Sequence, residues 1–149
     1  MTTPEALPQR PFDGRRLVVA TAVTAGLGVA VAAAFLHFYP RGNDLGATAA
    51  ALRDAFAWIL GASLGLAIGS CATALLVRAG SRFFAGFLAG VAGFWTGVTP
   101  YMVATTPSDV SSAAALGFAF IAFAPALVFA TVGSALGVAL RRVLQRRTA

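Results

Sequence analysis

Residues 82–100 read Arg-Phe-Phe-Ala-Gly-Phe-Leu-Ala-Gly-Val-Ala-Gly-Phe-Trp-Thr-Gly-Val-Thr-Pro, and the fold follows from how this stretch is read. Gly86, Gly90, Gly93 and Gly97 fall four, three and four residues apart, which places them on one side of an α-helix. Phe83, Phe84, Phe87, Leu88, Val91, Phe94 and Trp95 occupy most of the remaining surface. Glycine costs a helix interior about 1 kcal/mol per residue in water, so four of them call for a compensating gain. Inside a bilayer that gain is close helix–helix approach along a small-residue groove.

The composition agrees with a bilayer. Hydrophobic residues make up 58% of the 149 residues and charged residues 11%, against about 25% charged in soluble domains. Three more apolar runs flank the central one. The expected spans are about 17–38, 55–77, 83–102 and 110–140, each long enough to cross a hydrocarbon core of about 30 Å. The fold class expected is therefore all-α, a four-transmembrane-helix bundle packed through glycine and alanine. Residues 1–16, with Pro4, Pro8 and Pro11, read as a flexible cytoplasmic tail, 17–140 as the transmembrane domain, and 141–149 as a basic cytoplasmic tail.

A cleaved signal is the rival reading for the first run. Arg15 and Arg16 would supply its charged start, and Ala30-Val31-Ala32 or Ala32-Ala33-Ala34 its cleavage site. The apolar run continues through Phe35, Leu36 and Phe38, beyond the roughly 7–15 residues of a signal core, which favours an uncleaved helix.

In the second run Gly61, Gly65 and Gly69 recur every fourth residue, and Ala57 and Thr73 extend the row. The short link Arg78–Arg82 makes the second and third helices an antiparallel hairpin, with this ridge expected in the groove of the third helix. Pro100 gives no N–H to the carbonyl of Thr96, so a bend or frayed end is expected there, with the hydroxyls of Thr96 and Thr99 as substitutes. Ser108 or Asp109 is the expected N-cap of the fourth helix, and Pro125 a bend within it.

All eleven basic residues are arginine, a composition typical of GC-rich bacterial genomes. Nine of them lie before the first run, between the second and third, or after the fourth; only Arg41 and Arg53 lie on the other side. The positive-inside rule then puts both termini in the cytoplasm, and the expected location is a bacterial cytoplasmic membrane. Trp58, Trp95, Tyr39 and Tyr101 fall toward the outer half, as an interfacial belt would. The net charge of +6 suits this topology better than it suits nucleic-acid binding, and no nucleic-acid partner is expected.

Little chemistry is legible. No span holds a charged residue, which argues against transport through an intramembrane carboxylate. Cys71 is the single cysteine and His37 the single histidine. His37 could serve as proton acceptor or metal ligand but reads better as an interfacial ring, and Cys71 as a packing residue. No catalytic residue, cofactor site or metal site is expected. Asp54, with Asp44, Asp109 and His37 at the same end, forms a candidate polar outer mouth for an ion or small polar solute. The plainer reading of Asp54 and Asp109 is that they favour helix N-termini through the dipole. Arg53 and Asp54, being adjacent, are expected to point apart rather than pair. Two functions follow as expectations: a packing subunit or scaffold that associates with itself or a larger membrane complex in contact with membrane lipid, and, as the alternative, a small channel or transporter component.

Overall fold

The computed structural model describes residues 14–38, 47–77, 81–105 and 111–147. These form α1 (Gly14–Phe38), α2 (Ala47–Leu76), α3 (Arg82–Gly93), a π-helical turn (Phe94–Val98), α4 (Thr99–Thr105) and α5 (Ser112–Arg147), with no strand among the described residues. Four segments are long and apolar enough to cross a membrane: Gly14–Phe38, Arg53–Leu76, Arg82–Ala104 and Ala113–Arg147. The helices extend beyond the expected spans. α2 starts at Ala47, and α5 runs through Arg147, so the arginines assigned to a C-terminal tail ride on its last turns.

α2 and the α3–α4 segment form the middle of the bundle, and α1 and α5 flank them on opposite sides. α2 packs on α1, α3 and α5, while α1 and α5 each pack on α2 and α3. The centre is Leu66, fully buried, with Val98 and Phe94 beside it and small residues around them. Gly28 of α1 makes room for this cluster: a methyl group there would lie 2.8 Å from Val98 Cγ2 and 3.3 Å from Leu66 Cδ2.

The helix pairing differs from the expected one. Gly61, Gly65 and Gly69 face α1, not α3. A methyl group at Gly61 would lie 2.7 Å from Ala32 Cα, one at Gly65 would meet the Leu27 carbonyl, and one at Gly69 would lie 2.7 Å from Thr24 Oγ1. α2 turns Leu66, Ser70 and Ala74 toward α3 instead. The α3 row is itself divided. Gly86 and Gly90 meet Ser70 of α2 and Ser134 and Ala130 of α5, whereas Gly93 and Gly97 meet Ala25 of α1. A row of small residues sets how close a neighbour comes and leaves its identity open.

The π turn explains how one row serves two neighbours. Buried positions step by four from Ala85 to Ala89 to Gly93, by five to Val98, and by four to Met102. At about 100° per residue, a five-residue step in an α-helix would swing Val98 well away from Gly93. The wider turn absorbs the extra residue, with the Thr99 N–H reaching back to the Phe94 carbonyl. Pro100 follows at once, where the α ladder loses a donor in any case.

Candidate functional site

Of the four residues of the expected polar mouth, Asp54 and His37 are described. Asp44 and Asp109 lie outside the described residues, as does Tyr39. Asp54 is exposed on α2 and His37 is exposed in the last turn of α1. The two make no contact, the His37 ring packing edge-on to Phe38 with centroids 5.0 Å apart. Arg53 and Asp54 do pair, against expectation: Arg53 Nη2 and Nε donate to Asp54 Oδ1 at 2.8 and 3.0 Å. The arginine side chain is long enough to curl back to its neighbour despite the roughly 100° between them on the helix.

Aromatic placement is also corrected. Trp58 is a core residue, 7% exposed, stacked on Tyr101 at a centroid distance of 6.0 Å. Trp95 is half-buried among Phe94, Phe120 and Phe123, joining the π turn to α5. Position near one end of a span fixed neither ring's direction.

Three of the six buried hydroxyls among the described residues bond within their own helix. Thr24, Thr73 and Ser134 donate to the carbonyls four residues back, Ala20, Gly69 and Ala130, at 2.7–2.8 Å. Thr96 does the same to Ala92, while Thr99 Oγ1 is buried without a partner, so neither compensates for Pro100 in the expected way. Ser70 Oγ is likewise buried and unpaired at the junction of α2, α3 and α5. Cys71 is half-buried on α2, its carbonyl against Gly137 of α5. The N-cap of α5 is Ser111, whose Oγ accepts the Ala114 N–H at 3.2 Å; Ser108 and the rest of its loop lie outside the described residues.

Two features went unread in the sequence. The first is a contact at the expected basic end of the bundle, where Arg15 and Arg16, Arg82, and the arginines from Arg141 to Arg147 lie. There Arg141 Nη1 donates to the Leu75 carbonyl at 2.6 Å. That carbonyl is one of the last four of α2, which have no partner within the helix, so a cation of α5 closes the negative end of α2. The second is the outward face of α1. Between Val23 and His37 its exposed residues are Gly26, Ala30, Ala33 and Ala34, and nothing lies within 4 Å of a methyl group at Gly26. α5 presents a different outer face, with Phe120, Ile121, Val128, Val132 and Leu136 each more than half exposed. The spacing Ala22, Gly26, Ala30 was visible in the sequence as a small residue every fourth position, but nothing there showed that it points outward.

Comparison with known proteins gives no match, whether to a family model, to a curated protein or to a solved structure.

Proposed function

We propose that this chain is a four-span protein of a bacterial cytoplasmic membrane, with both termini cytoplasmic, that serves as a packing subunit or scaffold without catalytic chemistry of its own. In this reading the glycines of α2, α3 and α5 hold the bundle together, and α1 recruits the partner, a second copy of the chain or a larger membrane protein. The observation that carries it is the smooth outward face of α1. Without a hydrophobic driving force between helices in lipid, association depends on close van der Waals approach, which small residues permit. Bulky side chains, as on α5, suit disordered acyl chains; a flat stretch of glycine and alanine suits another helix. The alternative channel reading has less support, since Asp54 at its supposed mouth is already paired with Arg53.

Co-purification tests this. Tagged protein extracted from its native membrane in mild detergent is expected to bring down a stoichiometric partner or a second copy, and Gly26→Leu is expected to lose it. Gly26 has open space around it, so the leucine leaves the bundle intact. Equal recovery of the partner by both proteins would refute the assignment to α1.

A further inference from the structure

At the basic end a cleft of about 360 Å³ opens between the start of α3 and the end of α5, lined by Arg82, Phe83, Val138, Arg141 and Arg142 among others. The chain brings together here cations nearly sixty residues apart in sequence. Their states differ. Arg141 is held in place by its bond to the Leu75 carbonyl, and its Nε is buried with no acceptor. Arg82 is half-buried and Arg142 exposed, and neither pairs with another described residue. Asp54, at the opposite end of α2, is the sole carboxylate among the described residues. Three arginines thus line one cleft, with Ser81 and Gln145 as its other polar side chains and no carboxylate.

From this geometry we propose that the cleft is a binding site for the phosphate of an anionic phospholipid headgroup. Guanidinium groups match phosphate oxygens through paired N–H donors, and an anion between Arg82 and Arg142 relieves their mutual repulsion. The surroundings select a lipid over a soluble phosphate. Phe83 and Phe84, 41% and 51% exposed, adjoin Arg82 directly, so apolar rings and cations share one level, as they do where headgroups meet acyl chains. The inference rests on the membrane placement proposed above and is independent of what α1 recruits. Whether the protein leaves the membrane fraction only with detergent checks that placement separately.

The test is native mass spectrometry of the full chain in detergent, titrated with phosphatidylglycerol or phosphatidylcholine. Two variants of equal net charge are compared with wild type: Arg82→Gln/Arg142→Gln, in the cleft, and Arg146→Gln/Arg147→Gln, one turn beyond it. Wild type is expected to retain phosphatidylglycerol over phosphatidylcholine. The cleft variant should lose about 10-fold or more in affinity for the anionic lipid, as removal of two cations near a headgroup implies, and the distal variant should keep wild-type affinity. Equal losses in both variants would reduce the effect to general charge attraction and overturn the site. So would indifference to headgroup charge. Displacement of the lipid by millimolar inorganic phosphate would reassign the cleft to a soluble anion. Working in detergent keeps the result free of any change in topology caused by removing arginines.

Discussion

Gly65 and Gly26 are both helical glycines in apolar runs, yet a methyl group has opposite consequences at the two. At Gly65 it would meet the main-chain carbonyl of Leu27, which cannot swing aside as a flexible side chain would. At Gly26 it would meet nothing. Gly65→Ala is therefore expected to destabilise the bundle by about 1–3 kcal/mol, the usual range for overpacking. Gly26→Ala should be neutral or stabilising by up to about 1 kcal/mol through helix propensity. Thermal unfolding in detergent micelles reads both, and equal transition temperatures would contradict the helix pairing described above. Arg141 is a second residue with a defined role. Its replacement by methionine keeps much of the apolar stem and removes the bond to Leu75. A loss of about 1.5 kcal/mol is expected, the low end for a hydrogen bond to a charged donor. Hydrogen exchange should quicken in the last turn of α2 and stay unchanged in α1; uniform protection across both would show that Arg141 does not hold that end.

Among the elements, the π turn makes the sharpest claim. If it is one extra residue taken up between Gly93 and Val98, deleting exposed Thr96 should convert it to α-helix without rotating what lies on either side. The ΔThr96 protein is expected to purify as a monodisperse species with near-normal unfolding. The same deletion at exposed Leu64, in the regular part of α2, would rotate every later residue by about 100° and abolish the bundle. Monodispersity by size-exclusion chromatography distinguishes them, and equal tolerance of both deletions would contradict the claim. The extents of the apolar runs were legible from hydropathy because any residue that fills a span adds to it, whatever its direction. The π turn was not: the five-residue step from Gly93 to Val98 is in the sequence, but it marks a turn only once both residues are known to face inward. The pairing of Gly61, Gly65 and Gly69 with α1 was illegible for a related reason. Gly86 and Gly28 offer equally suitable grooves on paper, and Leu66 decides between them by filling the centre where α1, α2 and α3 meet.

For the whole molecule, the separation of charge along the bundle is the guide to placement. The arginines of α1, α3 and α5 share one end, while Arg53 and Asp54 pair near the other. Cysteine labelling tests the resulting orientation in a Cys71→Ala background. Thr148→Cys should react with a membrane-impermeant maleimide only in inside-out vesicles, and Asn43→Cys only from the outer side; the reverse pattern would invert the topology. The candidate polar mouth was readable as a set of residues, but Asp54 is occupied by Arg53, a contact that spacing rules alone did not anticipate. The cationic end was readable from the arginine distribution, but the cleft was not, because Arg82 and Arg142 meet only through the fold. The outward face of α1 was hidden because a small residue every fourth position reads alike whether it is buried or bare. That face carries the central claim, and a photo-crosslinking side chain at Ala22, beside Gly26 on α1, tests it most directly in the intact membrane. A discrete higher-mass adduct is expected, falling about 10-fold or more when Gly26→Leu is added, the loss of roughly 1.4 kcal/mol in helix association, with unchanged thermal unfolding. No adduct, or one that Gly26→Leu leaves undiminished, would contradict the proposal that α1 recruits a partner.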